Sequence, residues 1–415
     1  MAQQAAAAAD ALSELKAMIV LVGPHDWGAF TFGTGAMNPD MVSWVGAMAA
    51  MERKETWLPP PFHMSWHRER MARDLSAVSL MDGMRRYIGG ELPEWFDGIV
   101  TGNVEFPVAT DALERIEGTA VLVVAGWADT FIEQCLVQYR RLKERGQVVG
   151  LTVGPWGHLS AQGGESKREI LQWLDQYLAP KTAVKAKQES RKALVRIFDT
   201  GTKQWLETDA WPLENTRTTQ WFLSAEGRLE ASPPGAAPAE TSFEYDPRNP
   251  TPNIGSSMLN YQAGKLADDR SLAARSDVIA FTTEPLEQDI RVMGSPVLSL
   301  AHSSSHPFAD LSVRVCAVEA NGTSHNISEA YQRLDKLDRG PETGELLQLT
   351  LVECAHTFRK GTRIRVVIAG GSHPKYVRNL GTGEDMVHGV NMESVKHTVH
   401  HGGERASSLT LPVDV

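Results

Sequence analysis

Two short apolar runs in this chain end on polar side chains. Val121-Leu-Val-Val-Ala-Gly-Trp-Ala-Asp129 and Gly150-Leu-Thr-Val-Gly-Pro-Trp-Gly-His158 each read as a buried β-strand that stops at glycine. Each delivers an acid or an imidazole just past its carboxyl end, where open α/β sheets place their chemistry. Ala17-Met-Ile-Val-Leu-Val-Gly23 reads as a further strand of the same sheet. Ser166 to Leu178 carries apolar residues at i, i+3, i+4 and i+7 spacing, which predicts a helix packed on that sheet. Between the strands at 17–23 and 120–125 the periodicity is helical, as in Met41-Val-Ser-Trp-Val-Gly-Ala-Met48 and His63-Met-Ser-Trp-His-Arg-Glu-Arg-Met-Ala-Arg73, with a break at Pro59-Pro-Pro61. Residues 28 to about 112 therefore read as an inserted helical cap.

Beyond Leu178 the pattern changes. Ala179 to Ser190 is polar and aperiodic, the best linker in the chain. From about Ala193 short alternating strands follow, separated by Pro- and Gly-rich turns: Leu194 to Phe198, Thr219 to Leu223, Val297 to Ala301, Asp310 to Val318 and Arg363 to Ala369. That pattern reads as a β-sandwich, with Ala231 to Ala239 as a surface loop inside it. The expected organisation is an α/β unit over residues 1–190 and an all-β unit over 191–415.

An acid followed 29 residues later by a histidine is the order of the second half of a Ser…Asp…His charge system. The nucleophile of such a system sits on a G-x-S-x-G elbow upstream of both, and the 415 residues contain no such pentapeptide. The alanine-rich stretch from Met1 to Lys16 followed by the strand at 17–23 reads as the helix after an elbow and the next sheet strand, so the serine is expected just before Met1. A sheet lacking its first strands is expected to expose an apolar edge and to favour aggregation. Asp129 also suits a helix cap, since Thr130-Phe-Ile-Glu133 opens a helical pattern.

These motifs give the chain a specific resemblance. Gln3-Gln4 and Leu15-Lys16-Ala17, Gly126-Trp-Ala-Asp-Thr-Phe131, Gly154-Pro-Trp-Gly-His158, Val195 to Trp205 with Asp209-Ala-Trp-Pro212, Tyr245 to Gly255, Asp289 to Pro296 and Pro374 to Gly383 occur in order. The whole resembles the CocE/NonD hydrolase family, which includes cocaine esterases, α-amino acid ester hydrolases, glutaryl acylases and Xaa-Pro dipeptidyl-peptidases. The resemblance implies an incomplete α/β-hydrolase fold with a helical cap, followed by a C-terminal jelly-roll β-sandwich. It implies a serine hydrolase of small acyl esters or amides, in which His158 is the general base and Asp129 orients it. Phe131, two residues beyond the acid, is then the best-placed pocket-wall residue; Phe30 and Trp44 are the others, although packing within the cap suits those two better. No cofactor is called for, and the expected partner is a small-molecule ester or amide. The other class compatible with the residues is a non-catalytic, nucleophile-less homologue whose pocket or β unit binds a small molecule or sugar.

Composition narrows the rest. A net charge of −10 with no concentrated basic run disfavours a nucleic-acid partner, and none is expected. Cys135, Cys316 and Cys354 are odd in number and far apart, which suits reduced thiols and a cytoplasmic location better than a disulfide framework. No segment approaches 18 uninterrupted apolar residues, so no membrane partner is expected, while a homo-oligomer is compatible with the sequence. His397-Thr-Val-His-His401 invites a zinc reading, but no carboxylate lies at matching spacing and no metal site is expected. Gly33-Thr-Gly35 lacks the third glycine of a dinucleotide fingerprint. All 11 tryptophans lie between Trp27 and Trp221 and ten of the 14 methionines at or before Met84. That concentration suits either a hydrophobic pocket lining or the core of a helical subdomain.

Overall fold

A computed structural model describes residues 15–52, 70, 73–92, 94–101, 110–178, 191, 194–235, 237–258, 267–337, 346–403 and 406–414. Of the helical pattern from His63 to Arg73 only Arg70 and Arg73 are among them, and the proline break at 59–61, the linker at 179–190 and the residues before Leu15 lie outside.

The first sheet runs in the order β1 (Ala17–Leu21), β2 (Ala120–Gly126), β3 (Val149–Gly154), β4 (Val195–Asp199) and β5 (Gln204–Thr208). The first four strands are parallel and β5 returns antiparallel to β4. Every residue of β2 and β3 is buried, which is why both read as continuous apolar runs rather than as alternations. Helix α6 (Ile132–Glu144) covers one face, packing Cys135, Leu136, Tyr139 and Leu142 on Val121, Val123, Leu151 and Val153. Helix α7 (Gly164–Leu178) covers the other, where buried Trp173 meets Leu122 and Val124 and donates its indole N–H to the Ala120 carbonyl at 3.2 Å. Gly150 lies under that indole: a Cβ there would come within 2.6 Å of it.

One expectation is corrected here. The run Leu194 to Phe198 is not the first strand of the all-β unit. It forms β4, whose Val195, Arg196 and Ile197 pair with Leu151, Thr152 and Val153 of β3. Its alternating burial reflects a position near the sheet's far side, where one face of the strand is half-open.

Between β1 and β2 lie the short helices α1 (Trp27–Phe32), α2 (Asp40–Glu52), α3 (Leu80–Ile88), α4 (Glu94–Thr101) and α5 (Thr110–Arg115). Met37, Val42, Val45, Leu75, Leu80, Met81, Met84, Tyr87, Phe96 and Val100 form a core of their own, closed by Val377 and Val387 from the far end of the chain. Met37, Met81 and Met84 are thus packing residues of the inserted helices.

The second sheet system comprises β6 (Thr216–Ser224), β7 (Arg228–Glu230), β8 (Ala239–Tyr245), β9 (Val278–Thr282), β10 (Ile290–Gly294), β11 (Val297–Ser304), β12 (Asp310–Val318), β13 (Ser324–Arg333), β14 (Leu346–Thr350), β15 (Cys354–Phe358), β16 (Arg363–Ala369), β17 (Val395–His401) and β18 (Ser408–Asp414). A single core joins Leu311, Val313 and Val315 of β12, Ile364, Val366 and Ile368 of β16, Leu298 and Leu300 of β11, Val395 and Val399 of β17, and Leu409 and Leu411 of β18. The period of two along each strand sends the alternate residues outward. On β12 those outward residues, Asp310, Ser312 and Arg314, are buried as well: Asp310 accepts from Tyr331, Arg333 and Asn379, and Arg314 donates to Asn253 and the Ile254 carbonyl, all within the β-rich part.

The two sheets meet at the end of β4. Asp199, 1% exposed, accepts from the Gly201 and Thr202 N–H groups at 2.9 and 3.1 Å, and from the Thr357 N–H and hydroxyl at 3.0 and 2.5 Å. Burial alone would raise its carboxyl pKa, but the Thr357 hydroxyl and three backbone N–H groups outweigh burial and hold it below the usual carboxylate range. Gly201 makes the approach possible, since a Cβ there would strike the Thr357 carbonyl oxygen at 2.0 Å. Asp199→Ala removes one buried charge and leaves several donors unpaired. It should cost on the order of 3 kcal/mol and lower the Tm measured by calorimetry. An unchanged Tm would show that the seam contributes nothing.

The histidine pattern of the β unit resolves as packing. His397 shares a 3.1 Å hydrogen bond with His302 and stacks on Phe243, His400 bonds Ser303 and His401 bonds Thr241. Among the described residues no three His, Cys, Asp or Glu side chains gather as a metal-binding group. Burial pushes His356, His373 and His397 each from 6.5 down to about 4, so they are neutral in the folded protein. The unfolded chain takes up protons near 6.5 that the folded chain refuses until about 4, so these groups cost stability progressively as pH falls through that window. Thermal melts across this range should show Tm falling toward acid; a flat profile would contradict the assignment.

Candidate active site

The glycine-terminated strands β2 and β3 bring Asp129 and His158 together. The Trp127 N–H donates to the Gly154 carbonyl at 2.9 Å and the Ala128 N–H to the Trp156 carbonyl at 3.1 Å, so the two loops are zipped to each other. Both glycines are required by closeness: a Cβ on Gly126 would lie 2.1 Å from the Trp156 carbonyl oxygen, and one on Gly154 2.5 Å from the Trp156 indole. The result is a hydrogen bond of 2.8 Å between His158 Nδ1 and Asp129 Oδ2. Asp129 is fully buried, and its other oxygen accepts the Phe131 N–H at 2.7 Å. One oxygen of Asp129 thus bonds the imidazole and the other the turn before α6; the helix itself is capped at Phe131 without a side-chain bond, so Asp129 is not its cap. With Nδ1 held, the imidazole keeps Nε2 for another partner.

Phe131 packs edge-on against the His158 ring, 5.4 Å between centroids at 73°. Phe30 lies 4.7 Å from Phe131, and Trp27 touches both rings. The position of α1 explains this. Its first turn is capped by Asp26, which accepts the Ala29 N–H at 2.8 Å, and the loop before it is tied to α6 by Gln134, which accepts from the Asp26 N–H at 3.0 Å, and by Gln138, which donates to the Gly23 carbonyl at 2.7 Å. Phe131, Phe30, Asp129 and His158 thus form one cluster. Trp44 does not join it: on α2 it is 49% exposed, because its neighbours Val42 and Val45 take the inward face.

Sequence reasoning missed two features. Val22, at the carboxyl end of β1, holds a φ of 42°, a left-handed conformation that a β-branched residue adopts only when its surroundings impose it. No sequence signal marks that. The second is a cavity of about 340 Å³ between the two sheet systems. Phe30, Ala128, Thr130 and Pro155 place it against the acid and histidine loops, and Glu329, Tyr331, Lys375 and Tyr376 wall it from the β unit. Lys375 is ion-paired with Glu329, and Arg314 lies 3.7 Å from the same carboxylate. Burial would lower the Lys375 pKa, but Glu329 reverses this and raises it; Glu329 itself is held below its usual range by Lys375 and Arg314 despite burial. Glu353, also on the wall, is paired with Arg140. Glu133 lines the cavity from α6, and its pKa is raised by partial desolvation and by the neighbouring Glu329 and Glu353 against the pull of Lys375 and Arg140.

Residues 188–410 match the family model described as the X-Pro dipeptidyl-peptidase C-terminal non-catalytic domain, and residues 2–160 match X-Pro dipeptidyl-peptidase (S15 family). The chain belongs to the CocE/NonD, S15-type hydrolase family. Within it, the cocaine esterase of Rhodococcus sp. (strain MB1 Bresler) is 27% identical over 370 residues, covering 79% of this chain and 62% of that protein. The chain therefore spans about three fifths of the length of that curated relative. Among solved structures, an α-amino acid ester hydrolase superposes with a TM-score of 0.78 at 18% identity, over 99% of this chain and 74% of that one. An aminopeptidase from a marine sediment archaeon, Thaumarchaeota archaeon, gives 0.75 at 20% identity, over 96% and 72%. A CocE/NonD family hydrolase from Staphylococcus aureus gives 0.62 at 15% identity, over 100% and 69%. At such identities these structures share the fold, an N-terminal α/β part followed by a β-rich part. Among the described residues no helix is long and apolar enough to cross a membrane.

The zipped loops give this family member a sharp test. Gly126→Ala should force Trp156 and Asp129 apart. We expect a drop in Tm and a change in near-ultraviolet circular dichroism from the Trp127 and Trp156 environments. A variant matching the parent in both would show that the loop contact has slack.

Proposed function

We propose that this chain carries the acid–histidine half of a serine-type acyl hydrolase acting on small esters or amides, with the nucleophilic serine contributed by residues upstream of Met1. The observation that carries the reading is the 2.8 Å bond between His158 Nδ1 and buried Asp129, held on two loops whose Ala128, Thr130 and Pro155 line the cavity. In the first step His158 Nε2 takes the serine hydroxyl proton as the oxygen attacks the acyl carbon. Asp129 holds the ring and stabilises the imidazolium. The protonated ring then returns its proton to the departing alcohol or amine, leaving an acyl-enzyme. Water, deprotonated by the same nitrogen, releases the acid and restores the serine.

The cavity is the proposed substrate volume. Phe30 and Trp127 supply apolar wall, and Glu133 supplies a carboxylate for which no ion pair is seen among the described residues. With Glu329 and Glu353 already matched by cations, the surplus charge favours a substrate bearing a cationic group over an anionic one. The strand pairings and family matches support an incomplete α/β-hydrolase sheet followed by a jelly-roll β-sandwich, with β4 and β5 from the start of the C-terminal match joined to the first sheet.

Serine-directed fluorophosphonate labelling tests the reading on two proteins, the 415-residue chain and one extended upstream in frame. Labelling of the extended form alone, abolished by His158→Ala, is the expected result. If neither form labels, the hydrolase reading fails and a non-catalytic small-molecule or sugar binder takes its place.

A further inference from the structure

Outside the Asp129–His158 pair, one carboxylate of the β-rich part reaches both ends of the segment that carries the acid. Glu353, just before β15, accepts from Arg140 Nη1 with one oxygen and from Trp211 Nε1 with the other, the latter at 2.5 Å. Arg140 sits on α6, the helix that begins three residues after Asp129. Trp211, only 2% exposed, packs its ring 5.8 Å from that of Trp127, tilted 59°. Trp127 precedes Asp129 by two residues. It is fixed on its remaining sides by the Nε1–H bond to the Phe198 carbonyl at 2.8 Å and by the backbone bond to Gly154 at 2.9 Å. The segment from 127 to 140 is therefore held at its start through the Trp211 ring and toward its end through a guanidinium, and a single side chain on the other sheet system accepts from both.

We propose that Glu353 is a positioning residue for the Asp129–His158 pair, acting through Trp211 on Trp127 and through Arg140 on α6; this rests on the reading of that pair as catalytic. The physical argument has three parts. A buried indole N–H and a half-buried guanidinium need an acceptor, and a carboxylate that bonds both fixes their relative position through short charge-assisted bonds. Removing it leaves both donors to find new partners, so the Trp211 ring is free to change its tilt against Trp127. Trp127 has little slack to absorb that change, because the neighbouring Gly126 touches the Trp156 carbonyl so closely that even a methyl group does not fit. The displacement passes to Asp129, and orientation at a catalytic pair matters at the scale of half an ångström.

The test reads the bond itself, so it does not depend on the chain being active. In the 415-residue chain, proton NMR should show a downfield resonance for the His158 Nδ1–H, identified by its loss in His158→Ala. Glu353→Ala and Trp211→Phe should shift that resonance upfield or broaden it away. Glu353→Gln, whose amide oxygen still accepts from Trp211, should shift it less. Val399→Ala, in the core of the β unit, should lower Tm and leave the resonance in place, which separates positioning from loss of stability. A resonance unmoved in Trp211→Phe and Glu353→Gln, the two mild variants, overturns the proposal even where Glu353→Ala fails to fold. Its absence from the parent chain overturns the catalytic pair, and the positioning role with it.

Discussion

The seam at Asp199 is the constraint on which the rest of this structure depends. A buried carboxylate at the end of β4 is satisfied in part by its own turn and in part by Thr357 of β15, so the two sheet systems share one set of hydrogen bonds. The Thr200 N–H donates to the Ala355 carbonyl at 3.0 Å and extends the same junction. Everything that lies between the sheets inherits this geometry: the cavity walls, the Glu353 bonds, and the mixed core in which Met293 and Ala355 pack against the residues of β2 and β3. A buried charge of this kind specifies position more than it adds stability, because its donors have no comparable partner in any other arrangement.

The inserted helices are attached by a second set of contacts that also runs to the β unit. The Arg333 N–H donates to the Thr34 carbonyl at 2.8 Å, the Val377 N–H to the Met37 carbonyl at 2.9 Å, and Arg378 to the Ser76 carbonyl at 2.6 Å. Their hydrophobic core is closed by Val377 and Val387. The helices therefore do not stand on the α/β sheet alone. They bridge from its strand ends to the end of β13 and to the segment from Val377 to Val387.

The parts of this picture legible in the sequence are those carried by local pattern. The strands at 17–21, 120–126 and 149–154 announce themselves by unbroken apolar runs, and β12 and β16 fall where alternation places them. Asp129 and His158 were legible because each follows such a run directly, and Phe131 because it lies two residues beyond the acid. What failed did so for want of nonlocal information. Five residues of β4 look the same whether they extend a parallel sheet or open a sandwich, and only their pairing with β3 decides. Trp44 is a large ring in a helix whose inward face is set by neighbours distant in sequence. The Asp199 seam and the cavity joined residues more than a hundred positions apart, and no periodicity reports on such a meeting.

The β-rich part matches a domain described as non-catalytic, and it holds neither Asp129 nor His158. Its chemistry is nonetheless directed at the same volume. Glu329, Tyr331, Lys375 and Tyr376 face the cavity that Phe30, Thr130 and Pro155 close from the other side. Lys375 and Glu329 pair within it and Arg140 pairs with Glu353, while no ion pair of Glu133 is seen among the described residues. An α/β sheet can align an acid and a histidine with backbone hydrogen bonds alone, as the zipped loops here do. It cannot by itself enclose a polar volume beside them, since the carboxyl edge of an open sheet faces solvent. The second sheet system supplies that enclosure beside the acid and histidine loops.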